Sequence, residues 1–438
     1  MVDDSDVQGW GRDGLAENIT EEFVSMATFE NAVGERFMKV QCAVLEGVVQ
    51  EAADKVDLAC PVCGQPLAVV DRRRERSVQS VFGRIRFTRG YGYCTRCNDH
   101  FAPADHKLGL HERATTSPRV QEIAALSVLR APATQATGDI LRLTGIGISA
   151  STLQREARRQ GERALDLRRR DEVLTQSAAG IALLSAEAPK LAAKSTLVIE
   201  IDAWNIRERD NWGRSEEFRK EGRDTCRWHW VYTGTIFRLD HRGTGSSKRP
   251  FITERGYVAT RAGIEGFRDQ LYAEALRRGM AQAEPVLVLA DGAVWIWNLV
   301  KDRFPEAVQR LDLYHAQQHL WNLAAELHGK GTPEARAWVA PYLAALKNEQ
   351  DGALKTIHGL NELATQLEHY SERQKEAIRR ETAYLESNRH RMDYKTGADL
   401  GQPVGSGAIE STCSQYQRRF QMTGPVWSLE GDDAFLAL

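Results

Sequence analysis

The chain has 438 residues, of which 42% are hydrophobic and 27% are charged, as in a folded protein of two or three domains. No apolar run approaches the roughly 18 residues of a membrane-spanning helix, and the acidic N-terminus has no signal-peptide pattern. The net charge of −2 excludes a strongly basic chain, so any nucleic-acid binding must come from local patches. We therefore expect a cytoplasmic protein without a membrane partner.

Residues 1–57 are predicted to form an N-terminal helical segment. Phe29, Val33 and Phe37 begin a series of apolar residues at steps of three and four, and Thr28 is a suitable N-cap. This spacing places an apolar stripe on one helix face, which indicates a packing or oligomerisation helix.

Residues 58–106 carry four of the seven cysteines, as two Cys-x-x-Cys pairs separated by 30 residues. Between the pairs, residues 77–82 and 85–91 have the alternation of a β-hairpin. Two such pairs can hold one Zn²⁺ in a tetrahedral site without an open position, so the sequence predicts a structural zinc-ribbon-like domain. A redox Cys-x-x-Cys pair is the alternative, and the basic run Arg72–Arg76 is a candidate for DNA contact or plain surface. The predicted zinc ligands are Cys60, Cys63, Cys94 and Cys97.

Residues 117–162 have the spacing of a helix-turn-helix. Ser117 and Pro118 begin a first helix, a second covers about 134–143, and a glycine-containing turn leads to a short third helix that ends near Arg159. Between positions 155 and 170 there are seven arginines against three acidic residues, as expected of a helix that reads the major groove. A plain helical bundle with a solvated charged face is the alternative, and residues 163–194 are predicted to be a connector. The candidate DNA-binding residues here are Arg155, Arg158 and Arg159.

Residues 195–315 have the order strand, strand, strand, helix, strand, helix, strand. The strands are predicted at 195–202, 227–239, 251–260, 286–291 and 310–314, and the helices at 264–277 and 293–301. Three consecutive strands followed by alternation indicate a mixed sheet of the ribonuclease H-like order, with an antiparallel half and a parallel half. Residues 316–401 are then an all-helical insertion, after which the α/β domain resumes at 402–438.

Three acidic residues, which we call the acidic triad, lie at positions where packing alone does not explain a carboxylate. Asp202 ends the first predicted strand, Asp291 ends the fourth, and Glu410 opens a helix after a Gly-Ser-Gly turn. The first and fourth strands are neighbours in this sheet order, so two of the carboxylates should converge at its edge. Carboxylate oxygens without His or Cys suit Mg²⁺ or Mn²⁺, and two such ions can act on a phosphodiester. The alternative is that the aspartates cap turns and Glu410 lies on the surface.

Further polar residues lie close to the acidic triad in the predicted fold. Asp312 and His315 leave the last predicted strand beside Asp291, where they would contact a phosphate or complete a buried network. Arg389 and Arg391 precede Glu410 and are candidates for contact with a DNA backbone.

A family resemblance rests on motifs that keep their order along nearly the whole chain. They are Cys60-Pro-Val-Cys63-Gly64, Val81-Phe-Gly-Arg-Ile-Arg86, Ser149-Ala-Ser-Thr-Leu-Gln154, Ile201-Asp202, Ala290-Asp291-Gly292, Asp312-Leu-Tyr-His315-Ala316, Asn388-Arg-His-Arg-Met392 and Gly405-Ser-Gly-Ala-Ile-Glu410. In these segments the chain resembles bacterial insertion-sequence transposases of the DDE type, specifically the ISKra-like group, with kinship to Mutator-like elements.

The resemblance implies a ribonuclease H-like catalytic domain with an all-helical insertion, preceded by DNA-binding modules. It implies metal-dependent cleavage at the terminal inverted repeats of the element and strand transfer into target DNA. Asp202, Asp291 and Glu410 fall at the catalytic positions, and Asp312 and His315 fall at an accessory position. The expected partners are double-stranded DNA, at the transposon ends and the target, and further copies of the chain on that DNA, in a bacterial cytoplasm near the nucleoid.

Two other functions remain open at this stage. One is a ribonuclease H-like nuclease that cuts without joining, and the other is an inactive or domesticated transposon-derived DNA-binding protein. Similar transposases continue past the position of Leu438, which predicts a C-terminally truncated copy. The complete acidic triad argues against the non-catalytic alternative.

Overall fold

The computed structural model describes residues 25–190, 194–209, 214–246, 250–422 and 427–438. The chain divides into two compact units, the first extending to Gln160 and the second covering Gly161–Ala437. It is a mixed α/β, multidomain protein. None of the helices in the described ranges is both long enough and apolar enough to cross a membrane.

The first unit contains a three-stranded sheet and several helices. Strand β2 lies at the centre of the sheet, between β1 and β3. The elements in chain order are α1 (Met26–Asp54), β1 (Ala68–Ser80), β2 (Gly83–Cys94), β3 (Asp99–Phe101), α2 (Pro103–Lys107), α3 (Pro118–Arg130), α4 (Ala133–Thr144) and α5 (Ala150–Leu174), whose last turns belong to the second unit.

The predicted β-hairpin is confirmed, and it is longer than its alternating segments indicated. Val78 on β1 pairs with Ile85 on β2, and both side chains pack with Phe87 against α1. Helix α1 begins after Ser25, so Thr28 lies within the helix and is not its N-cap. Residues 1–24 of the predicted helical segment lie outside the described residues.

The three predicted helices after the hairpin are present, but the third is not short. Ser117 Oγ accepts a hydrogen bond from Val120 N–H at 3.3 Å, and Pro118 occupies the first turn of α3, as its sequence predicts. Helix α5 continues for 25 residues and ends at Leu174 instead of near Arg159. The run after Arg159 is rich in Arg, Glu, Ala and Leu, which favour helix, so part of the predicted connector extends α5.

The second unit is built on a five-stranded mixed sheet. Its spatial order is β10-β9-β4-β5-β8, in which β5 pairs antiparallel with β4 and β8, and β9 pairs parallel with β4 and β10. The predicted antiparallel and parallel halves are therefore both present. The strands of this sheet are β4 (Leu197–Glu208), β5 (Arg227–Arg238), β8 (Gly256–Thr260), β9 (Val286–Ala290) and β10 (Val308–Leu311). Two short strands, β6 (Arg242–Thr244) and β7 (Pro250–Ile252), form a separate two-stranded sheet.

Helices cover both faces of this sheet. Helices α8 and α9 pack on one face over a core that includes Ile199 and Phe267, and α15 packs on the other face, where Ala408 contacts a cluster that includes Val198. Helices α10 to α13 form a core of their own. The helices of the second unit after α5 are α6 (Ala178–Ala186), α7 (Ser215–Lys220), α8 (Gly263–Arg277), α9 (Val294–Arg303), α10 (Leu313–His328), α11 (Pro333–Asn348), α12 (Gly352–Ala364), α13 (Glu372–Asn388), α14 (Tyr394–Asp399), α15 (Gly407–Phe420) and α16 (Leu429–Ala437).

Three of the five predicted strands differ from the observed ones by more than one residue at an end. Strand β4 continues past Asp202 to Glu208 because it pairs with β5 along its whole length. The predicted strand at 251–260 is divided between β7 and β8. The predicted strand at 310–314 ends at Leu311, because Asp312 is already the N-cap of α10.

A buried charge cluster connects α16 to the sheet. Glu208 and Asp432 are fully buried, and Arg261 lies between them, with its Nε 2.5 Å from Glu208 Oε1 and its Nη1 3.6 Å from Asp432 Oδ1. Burial, with the hydrogen bond to Glu208, raises the pKa of Asp432 to about 9. The folded chain therefore keeps a proton that the unfolded chain releases above about pH 4.

This proton should make stability depend on pH. Because the folded-state pKa is the higher one, we expect the free energy of unfolding to fall as the pH rises from about 4 towards about 9, with a slope of at most ~1.4 kcal/mol per pH unit. Asp432→Asn mimics the neutral acid and should flatten this slope in urea unfolding at about pH 5, 7 and 9. Asp166→Asn, which alters an exposed carboxylate paired with Arg169, is the control and should leave the slope of the unfolding free energy against pH unchanged. An unchanged slope in the Asp432 variant would contradict the assignment.

Candidate functional site

Asp202 and Asp291 occupy equivalent positions, each directly after the paired segment of one of two neighbouring parallel strands, β4 and β9. The pairing of β4 with β9 ends at Ile201 and Ala290, so each aspartate follows the last paired residue of its strand. Ala203 N–H donates to Asp202 Oδ1 at 2.7 Å, and Ala293 N–H donates to Asp291 Oδ1 at 2.9 Å. Asp202 thus lies inside β4, not at its end as predicted, but the convergence with Asp291 that the sheet order predicts is present.

The electrostatics of Asp202 reflect this convergence. Burial raises the pKa of Asp202, and the negative charge of Asp291 raises it further, while the Ala203 amide and the Cys413 thiol oppose the shift. Burial and the adjacent Asp202 carboxylate also raise the pKa of Cys413, so this thiol remains protonated. A cation bound beside Asp202 would oppose both shifts and favour the ionised carboxylate.

Asp312 and His315 lie beside the two aspartates. Asp312 is fully buried, and its Oδ1 accepts from His315 N–H at 2.8 Å and lies 3.2 Å from the His315 ring Nδ1. Its Oδ2 accepts from Ser406 N–H, which ties the start of α10 to the turn before α15. The hydrogen bond to Asp312, aided by the charges of Asp291 and Asp202, raises the pKa of His315. His315 is half-exposed, so its ring faces solvent near the acids.

Glu410 lies in the first turn of α15 and is exposed. Its Oε1 accepts a hydrogen bond from Ser406 Oγ at 3.3 Å. Helix α15 packs on the face of β4 that carries Asp202, because Trp204 stacks with Tyr416 of α15 at 6.3 Å between ring centroids. Glu410 is thus carried by a helix that is fixed to the same strand as Asp202.

Glu200 is a site residue that the sequence reasoning missed. It is buried on β4, two residues before Asp202 and on the same face, and its Oε2 accepts from Ile409 N–H at 2.8 Å. Burial raises its pKa to about 8. The available signal was an acid within the apolar run that ends at Ile201, where an ionised carboxylate is costly without a partner. Its bond to Ile409 places the residue next to Glu410.

The carboxylates do not form a compact cage. Across the described ranges, the only group of three or more possible ligands whose atoms all lie within 4.8 Å of one another is the four-cysteine cluster. The acidic triad is therefore spaced more widely than the ligands of a single ion. Mg²⁺ commonly takes only one or two protein carboxylates and fills its other positions with water and substrate oxygens.

The four predicted cysteine ligands are brought together, and their spacing fits Zn²⁺. The Sγ atoms of Cys60 and Cys97 are 3.8 Å apart, and those of Cys63 and Cys94 are 3.6 Å apart. Zn–S bonds of about 2.3 Å in a tetrahedron place the sulfurs about 3.8 Å apart. The distances therefore match a structural four-cysteine zinc site.

Both cysteine pairs use the same kind of turn. A residue with positive φ follows the second cysteine of each pair, Gly64 at 74° and Asn98 at 54°. Gly64 N–H donates to Cys60 O at 2.9 Å, and Cys97 N–H donates to Cys94 Sγ at 3.4 Å. Although burial opposes it, hydrogen bonds from the amides of Cys63 and Val62 lower the pKa of Cys60 to about 7, which favours the thiolate.

The candidate arginines of α5 differ in their surroundings. Arg155 and Arg158 are exposed on the helix surface. Arg159 donates to the buried Glu156 at 3.0 Å and is largely covered. Arg155 and Arg158 thus remain the better candidates for contact with a phosphate.

The two candidate arginines before Glu410 also differ. Arg389 is exposed and pairs with Glu386 at 3.2 Å. Arg391 lies 4.2 Å over the Trp297 ring and donates to Gln309 Oε1 at 2.9 Å. Arg391, which follows α13, therefore packs against α9 and β10, and Arg389 is the one open to a ligand.

Comparisons with known proteins give limited matches. Residues 264–438, less than half of the chain, match the profile of an uncharacterised protein family, UPF0236. No curated protein matches the chain. Among solved structures, the chain is similar to one titled "Drosophila P element transposase strand transfer complex" at 13% identity, covering 76% of this chain and 80% of that chain, with a TM-score of 0.27. A likeness at that score is too weak to establish a shared fold.

Proposed function

We propose that the chain is a DDE transposase that cleaves DNA at the terminal inverted repeats of an insertion sequence and transfers the strands to target DNA. Its catalytic domain would be ribonuclease H-like, formed by residues 195–315 and 402–438 around the helical insertion at 316–401. The observation that carries the proposal is the placement of Asp202 on β4 beside Asp291, which directly follows the adjacent parallel strand β9 of the mixed sheet. Glu410 adds a third carboxylate on the helix over the same strand.

The acidic triad would hold Mg²⁺ or Mn²⁺. When bound, the ions would activate the attacking water or 3′-hydroxyl and stabilise the leaving oxygen. The fit is supported by the all-oxygen donor set and by the pairing of β4 with β9, which brings Asp202 and Asp291 side by side. His315, whose pKa is raised, would place a positive charge against a phosphate of the DNA.

The first unit would supply DNA binding. Residues 117–162 form the proposed helix-turn-helix, with Arg155 and Arg158 exposed on α5, and the four-cysteine cluster would hold the ribbon at 58–106 in shape with Zn²⁺. Double-stranded DNA is the proposed partner. Because two transposon ends must be paired before joining, a homo-oligomer on DNA belongs to the same proposal.

The test is strand cleavage and joining on DNA that carries the ends flanking the coding sequence. We expect the wild type with Mg²⁺ to nick and join such ends, and Asp291→Asn or Glu410→Gln to lower both rates by at least about a hundredfold, since each removes a ligand oxygen. Glu372→Gln is the matched control, because Glu372 is likewise an exposed acid in the first turn of a helix and should be dispensable. Wild-type rates in the Glu410 variant would refute the assignment.

The wide spacing of the acidic triad favours one second candidate, an inactive transposon-derived DNA-binding protein. Binding of the end DNA without nicking at any Mg²⁺ or Mn²⁺ concentration would support it. Nicking without joining would instead identify a ribonuclease H-like nuclease.

A further inference from the structure

Tyr384 reaches the candidate site from the helical insertion. It lies on α13, and its hydroxyl contacts Gly292, the residue after Asp291. A Cβ atom added at Gly292 would lie 2.3 Å from Tyr384 Oη, so the approach is possible only for glycine. The hydroxyl and ring edge of Tyr384 therefore occupy the space that a side chain at position 292 would need.

The Tyr384 side chain is held in this position from two helices. Its ring stacks on His319 of α10, with 3.5 Å between ring centroids and planes inclined by 17°. His319 Nδ1 is bonded to Glu381 Oε2, and Arg380 Nη2 donates to the other oxygen of this buried acid at 2.7 Å. Each of these contacts restricts the conformation of the side chain that it holds, so packing of α13 against α10 fixes the position of the Tyr384 hydroxyl.

The contact bears on the conformation of Asp291. Asp291 Oδ1 accepts from Ala293 N–H at 2.9 Å, and Tyr384 packs on Gly292 between these two residues. The turn after Asp291 is therefore held by its own hydrogen bond and by the Tyr384 contact, which together fix the direction of the carboxylate.

We infer that Tyr384 is a positioning residue for Asp291, and that the helical insertion completes the metal-binding site by fixing the Asp291-Gly292-Ala293 turn. The inference deepens the proposed function and rests on it in taking Asp291 as a metal ligand. Nothing in the motifs around Asp291 pointed to a tyrosine 93 positions later, because the contact exists only once α13 packs on α10.

The first test measures Mn²⁺ affinity by isothermal titration, with the site identified by its loss in Asp291→Asn. Tyr384→Phe removes only the hydroxyl that contacts Gly292, and we expect Mn²⁺ to bind about three- to tenfold more weakly, since the turn then loses part of its support. Tyr342→Phe is the control, because Tyr342 is half-buried in the same helical core and packs on Trp338. Equal affinity in the Tyr384 variant, or no Mn²⁺ site in the wild type, would overturn the inference.

A second test uses the close approach itself. Gly292→Ala alone should displace Tyr384 and weaken Mn²⁺ binding. In a Tyr384→Ala background the added methyl group has room, so the same substitution should change the Mn²⁺ affinity little. If the two substitutions have additive effects on the free energy of Mn²⁺ binding, the inference is overturned. If end DNA is never cleaved but Mn²⁺ affinity responds as expected, the transposase proposal fails and the inference stands. If cleavage occurs and its Mg²⁺ dependence is unchanged in Tyr384→Phe, the inference fails and the transposase proposal stands.

Discussion

Replacing Cys60 with serine should remove zinc from the protein and unfold the ribbon around it. The four sulfurs have the spacing of a tetrahedral zinc site, and the apolar cluster around them is small, with Leu67 as its one buried residue besides two of the cysteines themselves. Such a small core cannot stabilise two turns with positive φ without a further constraint. Structural Zn²⁺ supplies about 10–16 kcal/mol of apparent binding free energy at neutral pH, which here would be folding free energy.

The measurement is zinc content per chain by mass spectrometry, together with thermal unfolding. We expect about one Zn²⁺ per wild-type chain and much less in Cys60→Ser, with an early unfolding transition that a strong chelator reproduces in the wild type. Cys42→Ser is the matched control, because Cys42 lies outside the cluster and packs against the hairpin. Retention of zinc in the Cys60 variant would refute the ribbon. A disulfide between Cys60 and Cys63 in zinc-free protein would support the redox alternative.

The elements that the sequence predicted well are those with a strong local pattern. Each Cys-x-x-Cys pair, the hairpin and the individual strands depend on residues within a few positions of one another, so their patterns are visible in the chain itself. Strand β4 was predicted too short because Ala203–Glu208 mixes polar and apolar residues, and only pairing with β5 makes it a strand. Helix α5 was predicted to end near Arg159, but it continues through Gly161 to Leu174. The glycine is needed because a Cβ there would lie 2.1 Å from Ala434 O.

The candidate site was predictable only in part, for the same reason. Asp202 and Asp291 end apolar runs of the sequence, and the structure places them beside each other, with Asp202 inside β4 and Asp291 directly after β9. Glu200 and Tyr384 act through contacts with Ile409 and Gly292, which are distant in sequence. No short-range pattern records such an approach, so these residues become visible only in the folded chain.

Arg76 shows how charge alone misleads. The basic run Arg72–Arg76 was a candidate for DNA contact, yet the Arg76 side chain is only 8% exposed. Its Nη1 lies 2.9 Å from Asp105 Oδ2, and Arg89 Nε lies 3.0 Å from Asp105 Oδ1. One buried carboxylate thus pairs with two guanidinium groups, so Arg76 is part of the interior of the first unit.

Asp105→Ala should destabilise the first unit by about 3–5 kcal/mol, since it leaves two buried guanidinium groups without their shared partner. Arg76 also donates to the carbonyl oxygens of His111 and Ala114, at 2.7 and 2.9 Å, so the hairpin and the turn before α3 would loosen together. Urea unfolding followed by circular dichroism measures the loss. Glu51→Ala, which breaks an exposed pair with Lys55, is the control and should leave the unfolding midpoint unchanged.

A triple replacement separates the charge from the packing. In Arg76→Met/Asp105→Leu/Arg89→Met, no ion remains to be desolvated, so stability should recover most of the loss seen in Asp105→Ala. If the triple variant is instead less stable than Asp105→Ala, the carbonyl contacts of Arg76 and Arg89 outweigh the ion pairs. If Asp105→Ala is as stable as the wild type, water must reach the cluster, and Arg76 would then return as a candidate for contact with DNA.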